Sequence, residues 1–346
     1  MKAINTSKNN PALTHRLLEW YLQNKRDLPW RDTQDPFKIW LSEIILQQTR
    51  VDQGLPYYQA FANTYENVEA FAHAPLDEIL KMWQGLGYYS RARNMHACAQ
   101  TVVNEFKGQF PNNYKDLLSL KGIGKYTAAA ISSICFDEAV PAVDGNVFRV
   151  HSRLFGISED IAKGKTFNTF FDLGKELIQK NHPGTYNQAM MEYGAKICTP
   201  KSPKCDECVV SEWCFALKND MTHLLPMKVK NIKVKQREFH YYIYKFENWT
   251  LIRQRPAGDI WTGLYEFVLE EGETPEMPEA TPVSEVITHL LTHQKLSIQF
   301  HVVMCPSLES MEQIRKEKDM LKTDISSLTD FAVPKPIEMF LNKVDL

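Results

Sequence analysis

Between about residues 10 and 215, apolar residues recur at i, i+3 and i+4, in segments punctuated by Pro, Gly, Asp and Asn. That period predicts amphipathic helices almost throughout this stretch. In the segment opening at Asp35-Pro36, the residues Phe37, Trp40, Leu41, Ile44 and Ile45 make one apolar stripe. Asp35 suits the N-cap and Pro36 the first helical turn. Glu43, Leu46, Gln47 and Arg50 fall on another face, which gives a carboxylate at position 43 a rigid mount beside the core.

After Cys214 the texture changes. MTHLLPMKVKNIKVKQ (221–236) reads as a linker, with lysines set among apolar residues. Strand-like runs follow: EFHYYIYKF, WTLIRQR and LYEFVLEE, separated by turn signals at Glu247-Asn248 and Pro256-Ala257-Gly258. HLLTHQKLSIQFHVVM extends this texture, and ISSLTDFAVPKPIEMFLNKV closes with a short helix. The pattern predicts a mainly α domain over 1–220 and an α+β domain over 237–346.

A chain of 346 residues fits two domains. Its 44% hydrophobic and 24% charged content is that of an ordinary globular protein. No run approaches the roughly 18 apolar residues of a membrane span. The N-terminus lacks the apolar core of a signal peptide, so a cytoplasmic address with no membrane partner is expected. The net charge of −2 hides an asymmetry: residues 1–235 carry a balance of +5, and residues 236–346 one of −7. A polyanionic partner therefore suits the first domain better than the second.

Within LLSLKGIGKYTAAAISSICF (117–136) lies a helix, a tight Gly-x-Gly hairpin and a second helix. Gly122 and Gly124 permit the turn and a close backbone approach. The N–H groups of Lys125–Thr127 open the second helix, where they suit an anion such as a DNA phosphate. Twenty residues on, Asp144 stands in an apolar frame ahead of Gly145 and Asn146. Four cysteines, Cys198, Cys205, Cys208 and Cys214, are spaced C-x6-C-x2-C-x5-C. Four thiolates in that order suit zinc or an iron–sulfur cluster better than disulfides. Cys98, Cys135 and Cys305 are solitary and read as buried free thiols.

The hairpin, the VDGNV aspartate and the cysteine loop together resemble the endonuclease III superfamily of base-excision glycosylases. Within it, LPWR (28–31), SEIILQQTR (42–50), QGLGYYSRARN (84–94) and YNQAMMEYGAKIC (186–198) are similar to the MutY-type adenine glycosylases. The resemblance implies a two-lobed helix-hairpin-helix fold, a [4Fe–4S] cluster on the four cysteines, and duplex DNA bearing adenine opposite 8-oxoguanine or guanine as partner, with the chain expected to work as a monomer at the nucleoid. It gives Glu43 the role of general acid and Asp144 that of an ionised stabiliser of the sugar cation, with Tyr126 and Asn146 supporting them. Arg26, Leu28, Trp30, Arg31 and Gln188 would line the pocket for the extruded base. Gln48, Thr49, Leu86 and Tyr88 would contact DNA, as would the hairpin residues Gly122, Gly124, Lys125 and Thr127.

Bifunctional relatives carry a lysine in G-x-G-x-K, where its amine attacks the sugar. This chain has Tyr126 there, which implies base removal without efficient strand cleavage. The second domain resembles the Nudix-like domain of the same family through RPAGDIWTGLYEFV (255–268), without a Nudix catalytic box. Leu291-Thr292-His293 stands where the family has a Phe-Ser-His loop that detects 8-oxoguanine. Alternatives are a bifunctional endonuclease III-type enzyme, a thymine mismatch glycosylase, or a non-catalytic DNA-binding protein with a redox cluster.

Overall fold

A computed structural model describes residues 11–229, 233–272, 279–344 and 346. They group into two compact units, one of residues 1–73 and 94–230, the other of residues 74–93 and 231–346. Among the described residues, no helix is long and apolar enough to cross a membrane.

The first unit is helical. Asp35 caps the Pro36–Ile45 helix, its Oδ1 accepting from Phe37 N at 2.9 Å. The predicted stripe is its buried face: Phe37, Trp40, Leu41, Ile44 and Ile45 are all nearly solvent-free. This helix packs on Lys125–Cys135, which Gly124 caps. Gly122 has φ +80°, and a Cβ there would strike Asn94 Cβ at 2.8 Å, so the hairpin requires glycine at that point. The Gly145–Phe155 and Pro11–Asn24 helices pack against Pro183–Lys196. Their apolar faces build a core around Leu17, Val150, Phe170 and Tyr193. Four helices thus fix the relative places of Glu43, Tyr126, Asp144 and Gln188.

The second unit is built on a mixed sheet. Its central strand, Lys235–Phe246, runs parallel to Gln294–Met304, in register from Lys235↔Gln294 to Lys245↔Met304. Val268–Glu271 and Trp249–Gln254 pair with it antiparallel. The strand begins inside the segment read as a linker, because Lys235 and Gln236 already take part in the ladder. Alternation along these strands buries Phe239, Tyr241, Ile243, Ile298 and Phe300 on one face. The helices Leu308–Glu317 and Lys335–Leu341 complete the α+β unit.

Residues 74–93, which the helical pattern placed with the first domain, group with the second unit. Local bonds explain why. Asp77 accepts from Tyr265 Oη and Gln254 Nε2, both at 2.9 Å, and Lys81 Nζ donates to Phe331 O at 3.3 Å.

Candidate active site

A cleft of about 440 Å³ in the first unit is lined by Glu43, Tyr126, Asp144 and Asn146. This volume lies in the ~300–1,000 Å³ range of small-ligand sites. The five expected pocket residues, Arg26, Leu28, Trp30, Arg31 and Gln188, line it as well, as does Thr49. Residues separated by more than 140 positions in sequence therefore share one space.

The two carboxyls have different surroundings. Burial pushes Glu43 up to about 7, a hydrogen bond from Tyr126 opposes the rise, and the Asp144 charge adds to it. Tyr126 itself is held well above the ordinary phenol range by burial and by both carboxylates. Its hydroxyl also lies 2.8 Å from Met191 Sδ. A carboxyl near 7 carries a proton for about half the molecules at neutrality, as a general acid needs.

Asp144 caps the Gly145–Phe155 helix. Its Oδ1 accepts from Asn146 N at 2.9 Å and Val147 N at 2.8 Å, and its Oδ2 from Asn146 Nδ2 at 2.7 Å. Burial raises this carboxyl above the usual aspartate range, but those three donors and the Arg149 guanidinium pull the other way. Asn146 is oriented in turn by Arg149, whose Nη2 donates to its Oδ1 at 2.8 Å. Glu43 thus has one neutral donor, whereas Asp144 has three donors and a cation. Such an asymmetry separates a proton donor from an anion.

The residues of the pocket wall also bond one another. Arg31 Nη2 donates to Glu192 Oε2 at 2.6 Å and its Nη1 to Arg26 O at 2.9 Å. Gln188 Oε1 accepts from Tyr21 Oη at 2.6 Å. Trp30 is 7% exposed and meets Tyr58 edge-on at 4.9 Å, so the wall aromatic is also a packed one. Met191, Glu192 and Arg149 were missed in the sequence. Their signal was helical spacing, since Met191 and Glu192 follow Gln188 at i+3 and i+4.

The expected DNA contacts divide. Gln48 is exposed with φ +58°, in the turn that follows the Glu43 helix. Gly124 and Lys125 are exposed at the hairpin, with Lys125 Nζ 4.5 Å from the Phe167 ring centre. Thr127 is 2% exposed and its Oγ1 accepts from Gln47 Nε2 at 3.3 Å, so only its backbone is offered to an anion.

Leu86, Tyr88, Leu291, Thr292 and His293 line a separate cavity of about 620 Å³ in the second unit. Leu291-Thr292-His293 is the turn joining strands Ile287–Leu290 and Gln294–Met304, closed by Leu291 N to Gln294 O at 2.8 Å. Tyr88 Oη and Thr292 Oγ1 are 2.9 Å apart. Leu291 packs against the unit's core, and the outward apolar residue is Leu290, 71% exposed. Trp261, with φ +60°, and His289 complete an aromatic wall.

Cys198, Cys205, Cys208 and Cys214 line one apolar recess, and none forms a disulfide. Arg153 Nη1 lies 3.3 Å from Cys198 Sγ, and Tyr193 Oη lies 3.1 Å from Cys208 Sγ. Among the described residues, no group of three or more His, Cys, Asp or Glu is placed to hold a single metal ion. Four thiols round one recess are a donor set that fits an iron–sulfur cluster.

Comparisons with known proteins agree with this geometry. Residues 41–176 match the HhH-GPD superfamily of base excision DNA repair proteins, and residues 240–343 match the NUDIX domain. Residues 198–214 match the iron–sulfur binding domain of endonuclease III, so the recess is the seat of a [4Fe–4S] cluster. A thermostable thymine-DNA glycosylase of known structure is 30% identical, with a TM-score of 0.57 over 62% of this chain and 99% of that one. An endonuclease III–DNA complex, 21% identical with a TM-score of 0.54, shares the fold over 63% of this chain and 99% of that one. The class is thus that of helix-hairpin-helix base-excision repair proteins.

Sequence relatives narrow it. The adenine DNA glycosylase of Buchnera aphidicola from Schizaphis graminum is 30% identical over 94% of this chain and 96% of its own length. That of Arabidopsis thaliana is 36% identical over 83% of this chain, which spans 51% of it. The human adenine DNA glycosylase is 41% identical over 59% of this chain and 39% of its own. The chain belongs to the adenine DNA glycosylase family, hydrolases of N-glycosyl bonds in base excision repair.

Proposed function

We propose that this protein removes adenine from duplex DNA where it faces 8-oxoguanine or guanine, by hydrolysis without strand cleavage. The observation that carries the reading is the shared cleft of Glu43 and Asp144, with a carboxyl near 7 beside a triply hydrogen-bonded one. Adenine leaves poorly as an anion, so protonation at N7 by Glu43 lets the C–N electrons depart with a neutral base. The sugar is left with oxocarbenium character, and the ionised Asp144 lies ready to stabilise it. The Glu43 carboxylate then takes a proton from the attacking water.

Tyr126 stands where a lyase would need an amine, and it is occupied with Glu43 and Met191. The adjacent Lys125 lies over Phe167, outside the lining of the cleft. Both features favour a monofunctional enzyme. Cys198, Cys205, Cys208 and Cys214 hold the cluster, which supplies a structural anchor for their loop. Arg149 joins that loop to the cleft, donating from Nε to Cys198 O at 2.6 Å and from Nη2 to Asn146.

The base opposite adenine would be read by the second unit, where Tyr88, Thr292 and His293 offer one aromatic face, a hydroxyl and an imidazole. The DNA must first release the adenine from its stack, at a cost of a few kcal/mol.

A single-turnover assay on duplexes pairing adenine with 8-oxoguanine, guanine, cytosine and thymine tests the reading. Adenine release from the first two, with abasic strands left uncut until alkali is added, is the expected result. Release of thymine, or borohydride-trapped covalent product in quantity, would instead identify a thymine mismatch glycosylase or a lyase.

A further inference from the structure

The Pro183–Lys196 helix turns Gln188, Met191 and Glu192 toward the cleft. Of the three, Glu192 is the most deeply withdrawn from solvent, at 1% exposure. A buried carboxylate is costly unless it is paired. Glu192 is paired twice, from one short loop. Arg26 Nε donates to its Oε1 at 2.8 Å and Arg26 Nη2 to its Oε2 at 2.6 Å, where Arg31 Nη2 also arrives at 2.6 Å. Arg26 N adds a further bond to Oε1 at 3.1 Å. Arg31 Nη1 closes the ring on Arg26 O, and the Arg31 guanidinium lies 5.5 Å from the centre of the Tyr21 ring. Between the two arginines in sequence stand Leu28 and Trp30, the apolar wall of the cleft.

We propose that Glu192 is a positioning residue for base excision: it clamps the Arg26–Arg31 loop so that Leu28 and Trp30 form a preshaped slot for the extruded purine, and its charge offsets the two guanidiniums of the cleft that also holds Glu43. The inference rests on the excision reading above. Glu192 does not touch the reacting atoms. A slot held in advance spares the ordering of two long side chains when the base enters. Burial alone would raise the Glu192 carboxyl, but hydrogen bonds from Arg26 and Arg31 bring it to about 2, so the clamp stays charged at neutral pH.

The groups acting most directly on Glu43 are Tyr126 and Asp144, with Cys135 in electrostatic reach; Arg26, Arg31, Arg50, Asp52 and Glu192 line the same cleft. Replacing the Glu192 charge by an amide leaves Arg26 and Arg31 with no carboxylate in the clamp. The added positive potential favours ionised Glu43, so its proton is lost at lower pH.

Single-turnover adenine release, measured against pH, tests this on the full chain. For Glu192→Gln we expect a rate at pH 7 roughly tenfold lower or more. Its alkaline limb should move down by roughly half a pH unit. Glu192→Asp keeps the charge but is one methylene too short to span both arginines, so its rate should fall while the limb stays in place. Parental rate and limb in Glu192→Gln would overturn the proposal, and so would a slower rate with an unmoved limb, which marks a merely structural residue. If Glu192→Gln fails to fold, a parental rate in Glu192→Asp overturns it equally, as does failure of both variants to fold. An unmodified chain that releases no adenine would instead sink the excision reading itself.

Discussion

On the proposed function, the cleft of the first unit and the cavity of the second would solve different problems, and they are built of different materials. In the cleft, each functional side chain is held by another: Glu43 by Tyr126, Asp144 by Asn146 and two backbone amides, Arg31 by Glu192. The groups come from four helices whose apolar faces are buried. The second cavity has an exposed turn at its mouth, with Thr292 and His293 open to solvent and one hydroxyl contact to Tyr88. Chemistry that depends on a carboxyl near 7 needs a low-dielectric, over-determined site. Recognition of a base edge needs only a few donors and a face to stack on, and tolerates more substitution.

The comparison can be broken most sharply at Glu43. Glu43→Gln keeps the shape and removes the donor, so excision should fall by roughly 10²–10⁴-fold while binding to the mispaired duplex persists. Stability should move the other way. The folded carboxyl sits at about 7 against an ordinary 4.5, so the folded state binds the extra proton. Its contribution is therefore greatest below about 4.5, declines as pH rises to about 7, and is flat beyond. At pH 8, Glu43→Gln should thus unfold with ~1–3 kcal/mol more stability than the parent. A less stable variant would contradict the buried-acid account.

Asp144→Asn comes next, with excision expected to drop by roughly 10²–10³-fold as the developing sugar charge loses its counter-ion. Tyr126→Phe should cost about tenfold in rate through lost orientation of Glu43. Since that hydrogen bond holds the Glu43 pKa down, its removal should move the alkaline limb of the pH–rate profile upward. The smallest effect belongs to the second unit. Thr292→Ala should cost about 1 kcal/mol, a few-fold, in discrimination for 8-oxoguanine over cytosine opposite adenine, with little change in the rate from the guanine pair.

Much of the cleft was legible in the sequence because helix periodicity and spacing specify which faces are buried. The Asp35 cap, the stripe from Phe37 to Ile45 and the Gly122 turn all follow from local rules. Less legible was what the polar residues do with one another. Arg31 was legible as a pocket residue, but its partner Glu192 lies 161 positions away, and no local pattern reports such a pairing. Thr127 sits at a helix start that suits an anion, but tertiary packing turns its hydroxyl inward to Gln47. Residues 74–93 carry an ordinary helical pattern, and tertiary bonds such as those to Asp77, from Lys81 and from Tyr88 show with which unit they pack. Leu291 stands at a motif position, and its place in the turn sets it against the core at the edge of the second cavity, while the neighbouring Leu290 is the exposed one.

The most direct test of the central claim is the pH dependence of single-turnover adenine release by the unmodified protein. A proton held by a buried carboxyl predicts a rate that falls on the alkaline side with a midpoint near 7. A rate that stays level from pH 6 to pH 9, with the adenine still released, would show that Glu43 is not the source of that proton.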